Sequence, residues 1–433
     1  MSREANQDAD TLDLVGVGIG PFNLSLAALA EPVAGLRTAF FERETEFRWH
    51  PGLMIEGASL QVPFLADLVS LVDPTNRLSF LSYLRDRERL FPFYFAERFH
   101  IPRSEYEDYC AWASQRLASC QYGQRVRGVR WSGEVFELDV EPAGRVLARN
   151  VVLGVGTEPV LPEPLEPLAG TAVLHSADYL PARERLVAAE DVTVVGSGQS
   201  GAEVFLDLLR ARPPRKGRLR WLTRTPAFAP MEYSKLGLEQ FTPDYVRFFH
   251  RLDEATRDRL VPAQWQLYKA ISVDTIAEIY DELYQRTVGG GWPEVALVPG
   301  VEVTSAAGRG GRVELELRHV EQGRTASVST DAVVCATGYR ERDLSGLLGP
   351  LADRLERDDA GRLVVDEDYR VALDAGGSLF VQNAERHTHG VGAPDLGLAA
   401  WRSARILNTV CGRAVYPLPD RTAFTTFGLE GDQ

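Results

Sequence analysis

The chain has 433 residues, 45% hydrophobic and 25% charged, with a formal net charge of −14. That length allows two or three domains of an ordinary soluble enzyme, and the acidic excess argues against a general electrostatic grip on nucleic acid or an anionic membrane. The four cysteines, Cys110, Cys120, Cys335 and Cys411, form no Cys-x-x-Cys pair and fit no zinc site, so no metal is expected and a reducing, cytoplasmic setting is.

The opening MSREANQDADTLD is polar and acidic, unlike a signal peptide, and no apolar run reaches the roughly 18 residues of a membrane span. Leu12 to Val17 reads as a buried parallel strand, NLSLAALA as a helix ending near Pro32, and RTAFFER as a second strand closing at Glu42. The joint between the first strand and the helix is VGVGIGPFNLS. Glycine accepts the positive φ of a tight turn and lets a backbone approach a pyrophosphate, which then rests on the helix N-terminus. Gly16, Gly18 and Gly20 serve this purpose. Pro21 stands where the third glycine of Gly-x-Gly-x-x-Gly would fall, which the first helical turn tolerates. Glu42 is in range of a ribose hydroxyl, so this loop reads as an adenine dinucleotide site with an unmodified ribose.

A polar, aromatic-rich stretch follows, with FRWHPGLM and LQVPFLADLVSLVDPTN; residues 78 to 120 look mainly helical, and VVLGVGTEPVLP (151–162) is a strand running into a crossover. A second βαβ unit starts at DVTVVGSGQSGAEVFLDLLR and continues through PPRKGRLRWLTRT, PPRKGR being a surface turn. Gly196, Gly198 and Gly201 match the dinucleotide fingerprint. Arg224 replaces the acid at the strand end and would pair with a 2′-phosphate, so the second nucleotide is expected to be NADPH. Helical patterns fill 242–287 and strands return at 295–335. The strand SLFVQN, the loop AERHTHGVGAPD and the helix LGLAAWRSARILNTV close the chain.

The expected fold is α/β, with two Rossmann-like dinucleotide-binding domains and a small, mainly helical substrate-side region. Residues 1–172 and 335–433 would form a discontinuous FAD domain, and 173–334, including 242–287, an inserted NADPH domain. Two dinucleotide sites without a redox dithiol imply a flavin reduced by NADPH.

On GIGPFNLSLAAL, FRWHPGLM, LQVPFLADLVSLVDPTN, VVGSGQSGAE, ATGY and THGVGAPDLGLAAWRSARILN, the chain resembles the flavin-dependent N-hydroxylating monooxygenases of siderophore biosynthesis. The likeness runs over nearly the whole chain. It implies transfer of oxygen from O₂ to a primary amine through a C4a-hydroperoxyflavin. It places FAD against Gly16, Gly18, Gly20, Pro21, the stretch from Glu42 through Trp49 to His50, Gln61, Val126, and the Pro394–Asp395–Leu396 turn. NADPH would lie on Gly196, Gly198, Gln199, Ser200, Gly201 and Arg224. Trp49, Pro51 and Phe64 could wall off water, which such chemistry needs. Relatives are often tetramers, so a homo-oligomer is expected.

The lysine and ornithine enzymes of this family usually carry a lysine in FLKDLV that pairs with the substrate carboxylate; here FLADLV puts Ala66 in its place, and Gly397 stands where serine is common. A buried carboxylate without a cation costs several kcal/mol, so the expected substrate is an aliphatic diamine such as putrescine, cadaverine or diaminopropane. The alternative, lysine N6- or ornithine N5-hydroxylation, would need another cation, Lys269 or Arg402. Glu385 is the first candidate for the second ammonium of a diamine, while His387 and His389, with no third ligand, do not read as a metal site. No protein acid or base is assigned, since the flavin carries the chemistry. A non-catalytic dinucleotide sensor and a carbon- or sulfur-oxidising flavin monooxygenase are the readings from other classes.

Overall fold

The computed structural model describes residues 11–170, 172–213 and 217–429. Residues 214–216 of the expected PPRKGR turn, and the first ten of the opening stretch, lie outside them.

Six strands of the first sheet come from the first third of the chain: β1 (Leu12–Val17), β2 (Thr38–Glu42), β3 (Cys120–Tyr122), β4 (Arg125–Trp131), β5 (Phe136–Glu141) and β6 (Gly144–Leu153). Strand β7 (Thr157–Pro159) then leads to β8 (Val173–His175), β9 (Asp191–Val195), β10 (Arg218–Leu222) and β11 (Val295–Val298). An antiparallel trio follows, β12 (Val301–Arg309), β13 (Arg312–His319) and β14 (Thr325–Thr330). The last strands are β15 (Ala332–Cys335), β16 (Tyr339–Glu341) and β17 (Ser378–Val381).

The first sheet runs β3-β2-β1-β6-β5-β4, with β17 added in parallel to β6. The second runs β11-β10-β9-β15-β8 and is parallel throughout. In chain order every strand of the second sheet lies between β6 and β17. The ribbon β7–β16, with Tyr339 opposite Pro159, ties the outgoing and returning connections together.

In each sheet the glycine loop follows the central strand, β1 or β9, whose neighbours on both sides are parallel. Ligands bind at the carboxyl ends of such strands. These strands are apolar because both faces are covered, by helices on one side and by strands on the other. Leu14 clusters with the helix residues Leu24 and Ile406 but Val15 with Val129 and Leu138 of β4–β5, and Val194 clusters with Val204 and Leu208 but Val333 of neighbouring β15 with Val313 and Leu315 of β13. The helices Pro21–Ala30 and Ala399–Cys411 pack on one another over the first sheet, and Gln199–Ala211 lies against the second, with Phe205 stacked on Trp221 at 4.9 Å.

Two local features were not expected from the sequence. Residues 120–122 form an edge strand rather than helix, and β4–β5 is an antiparallel hairpin extending the first sheet. It carries the exposed pair Arg127–Glu141 and the pair of exposed Arg130 with buried Glu137, so its sequence reads as polar surface. Among the described residues, no helix is long and apolar enough to cross a membrane.

Candidate active site

The first loop is built by contact. Gly18 has φ +87°, and a Cβ there would lie 2.5 Å from the Gly154 carbonyl oxygen; one at Gly16 would enter the Phe40 ring. Gly20 differs, because a Cβ there would meet nothing within 4 Å. The helix that follows starts at Pro21 with no side-chain cap, so no side chain takes up its first amides. Asn23, fully buried, holds the turn shut by donating to the carbonyls of Val17 (3.1 Å) and Gly18 (2.8 Å) and accepting from Gln382 (2.8 Å). Glu42 reaches this loop: its carboxylate accepts from the Ile19 amide at 2.9 Å. The backbone of Gln124 donates to the Glu42 carbonyl, bringing half-buried Val126 into the same neighbourhood.

Beside this loop stands the 49–61 segment. His50 adopts left-handed φ and ψ of 50° and 51°, an uncommon state for a non-glycine residue. It is solvent-accessible yet ringed by protein, and that desolvation, with Arg103 nearby, pulls its pKa down to about 4. Trp49 meets His50 edge-on at 5.3 Å and Tyr106 at 5.1 Å. Gln61 holds a buried Nε2 with no partner, an orphaned donor of the kind a flavin ring carbonyl would satisfy. An open Gly20, an uncapped helix start, a carboxylate at the loop and an unpaired buried amide together fit FAD. Pro51 opens a short turn that packs on residues 176–178, where Gly52 comes so close to the Ala177 carbonyl that no side chain fits. The Phe64 ring lies in an aromatic cluster with Phe80, Phe93 and Phe99, 5.3 to 6.1 Å away, lining a cavity of about 390 Å³ with Leu90 and Tyr94.

In the second loop two glycines leave no room for a side chain. A Cβ at Gly196 (φ +133°) would lie 2.1 Å from the Ala336 carbonyl, and one at Gly201 would lie 2.6 Å from the Gly196 carbonyl. Gly198 caps the helix Gln199–Ala211 with no side-chain partner, and half-buried Ser200 lies in its first turn. Arg224 is exposed just beyond β10. The side chain of Gln199 is occupied within the protein, donating to Glu203 (2.9 Å) and Thr275 (3.0 Å) and accepting from the Ser272 amide (2.8 Å). Only its backbone is left for a nucleotide.

The structure brings Ala66 and Gly397 together: a Cβ built on Gly397 would stand 4.0 Å from that of Ala66. Asp395 accepts from the Gly397 amide at 2.7 Å, and burial raises its pKa to about 6; Pro394 is exposed, and Leu396 packs on the core.

Two expectations fail here. Glu385 is 0% exposed and ion-paired to equally buried Arg402 at 3.1 Å. Burial raises the Glu385 pKa, with Arg402 opposing. Arg402 also donates to the Ala393 carbonyl and lies over the Phe22 ring, so it is no free cation for a substrate carboxylate. Lys269 is exposed against the second loop: its carbonyl would be 3.2 Å from a Cβ on Gly198. Burial and the neighbouring Arg386 and Arg224 lower its pKa. It therefore belongs beside the nucleotide loop. Among the described residues no cluster of three or more His, Cys, Asp or Glu could hold a metal; His387 and His389 bond to the Leu363 carbonyl and to Thr388.

Sequence reading missed Asn23 as the loop's lock, and missed Arg103 and Glu203, which join at 2.8 Å across the two halves. Asn23 could have been found from its place one turn into the helix. Nothing in the sequence pairs residues so far apart.

Residues 10–341 match the family described as L-lysine 6-monooxygenase/L-ornithine 5-monooxygenase. The chain belongs to this family of flavin-dependent N-hydroxylating monooxygenases. It is 45% identical to the rhizobactin siderophore biosynthesis protein RhbE of Rhizobium meliloti, covering 97% of this chain and 96% of that one. It is 42% identical to a putrescine N-hydroxylase of Shewanella oneidensis, covering 97% and 85%. The FAD-bound cadaverine monooxygenase of the desferrioxamine pathway from Erwinia amylovora superposes with a TM-score of 0.94 at 38% identity, covering 98% of this chain and 100% of that one.

Proposed function

We propose that this monooxygenase N-hydroxylates one end of an aliphatic diamine, using FAD, NADPH and O₂, in the making of a hydroxamate siderophore. The observation that carries the reading is the pairing of Ala66 with Gly397, where the amino-acid enzymes would carry a lysine, while the alternative cation Arg402 is buried and ion-paired to Glu385. A carboxylate brought here would find no partner, whereas a chain with nitrogen at each end needs none. The similarity to putrescine and cadaverine hydroxylases supports the same choice.

In this reading residues 1–172 and 335–433 form the FAD domain and 173–334 an NADPH domain inserted into it. The first loop, with Gly16, Gly18, Gly20 and Pro21, takes the FAD pyrophosphate, and Glu42 the ribose. Trp49, His50, Gln61 and the 394–396 turn border the ring, and Val126 contacts FAD on the Glu42 side. Gly196, Gly198, Ser200, Gly201 and the Gln199 backbone take the NADPH pyrophosphate, and Arg224 the 2′-phosphate, with Lys269 alongside. When bound, the reduced flavin supplies activated oxygen. The protein's part is to hold the amine uncharged and dry, since a free alkylamine has a pKa near about 10.4 and must lose a proton to act as nucleophile. The exposed aromatic face of Phe91, Tyr94 and Phe95 supports a homo-oligomer.

The test is hydroxylamine formation from putrescine, cadaverine, diaminopropane, lysine and ornithine. Product from the diamines, dependent on both NADPH and O₂, is expected. Turnover of lysine or ornithine above every diamine would replace this reading with amino-acid hydroxylation.

A further inference from the structure

The 49–61 segment and the second glycine loop are joined by one continuous polar chain. Arg103 begins the helix Arg103–Ser114 on the flavin side, and its guanidinium forks onto Glu203 of the helix Gln199–Ala211, with both N–H···O distances 2.8 Å. The two side chains are only 16% and 6% exposed. Glu203 accepts in turn from Gln199, the residue directly after Gly198, and Gln199 is fastened to Ser272 and Thr275 at the start of the helix Val273–Gln285. At its other end Arg103 donates its amide to the Ala58 carbonyl, inside the 49–61 segment that carries His50 and Gln61. The chain thus runs from the flavin-side wall to the first residue of the nucleotide-binding helix.

We propose that Arg103, Glu203 and Gln199 are positioning residues, a clasp that sets the nucleotide loop at a fixed distance from the flavin-side wall and so governs reduction by NADPH and not the later oxygen step. A bidentate, nearly buried pair fixes direction as well as distance, and a misplacement of about 1 Å costs on the order of a hundredfold in rate. The step concerned is hydride transfer: NADPH loses a hydride and becomes NADP⁺, and the flavin accepts it together with a proton from solvent. The inference rests on the reading of FAD and NADPH sites above.

The experiment uses FAD-loaded Arg103→Met, Arg103→Lys and Glu203→Gln proteins. Three readouts are taken: flavin reduction by saturating NADPH, hydroxylamine formation in one turnover from dithionite-reduced enzyme with putrescine and O₂, and backbone hydrogen exchange over residues 199–203 without nucleotide. The clasp predicts reduction slowed tenfold or more in Arg103→Met and Glu203→Gln, partial recovery in Arg103→Lys, faster exchange at 199–203, and an oxygen step within twofold of the parent. Equal loss in both half-reactions, or lowered thermal stability with reduction intact, overturns it. If the ion-pair variants do not hold FAD, Gln199→Met leaves the pair in place and must slow reduction alone. A parent enzyme that fails to oxidise NADPH would instead remove the underlying functional reading.

Discussion

The two glycine loops solve one problem with different parts. In the second, Gly201 exists for packing, since any side chain there would strike the Gly196 carbonyl. In the first, Pro21 takes that position, and the work of closing the turn passes to Asn23 and its bonds to Val17 and Gly18. The strand ends differ as well. Glu42 reaches back to the Ile19 amide, whereas Arg224 stays exposed beyond β10. Glycines in the same motif therefore differ: Gly18, Gly196 and Gly201 are demanded by the packing of the protein, and Gly20 is not.

The sharpest way to break that distinction is to add a methyl group. Gly196→Ala and Gly18→Ala push a Cβ into backbone at positive φ and should each cost about 2–4 kcal/mol in thermal or urea unfolding. Gly20→Ala should leave the FAD-free protein within about 0.5 kcal/mol of the parent yet weaken FAD at least tenfold by fluorescence titration. Equal destabilisation at Gly20 would show that this loop, too, is built only for packing.

The contrast in charge predicts a smaller effect. Arg224→Met should raise KM for NADPH about tenfold, about 1.4 kcal/mol, and leave KM for NADH unchanged. A parallel rise for both would place Arg224 away from the 2′-phosphate.

The smallest effect concerns Glu341, on the ribbon β7–β16 that joins the two halves. Burial raises its pKa to about 7, against Arg386. The folded state then binds more protons than the unfolded between pH 4.5 and 7, so the cost of the charge is absent below that window and complete above it. Relative to Glu341→Gln, the parent should lose about 1–2 kcal/mol of unfolding free energy between pH 4.5 and pH 8. A constant difference would refute the assignment.

Both loops, their strands and Arg224 were legible because strand, turn and helix are adjacent in sequence, and Leu12–Val17 or Asp191–Val195 carry their signal in a few residues. What was not legible depends on residues far apart. Glu385 looks like a free loop acid until the fold brings Arg402 against it. Lys269 looks like a spare cation for a carboxylate until its segment folds onto Gly198. The β4–β5 hairpin hides because its exposed charges blur the alternation expected of a strand.

Cadaverine is lysine without its carboxylate, so the most direct measurement is kcat/KM for that matched pair under saturating NADPH and O₂. A site with Ala66 against Gly397, and Arg402 ion-paired to Glu385, predicts cadaverine ahead by about a hundredfold, the equivalent of about 3 kcal/mol for stranding the acid group. Lysine equal to or better than cadaverine would contradict it.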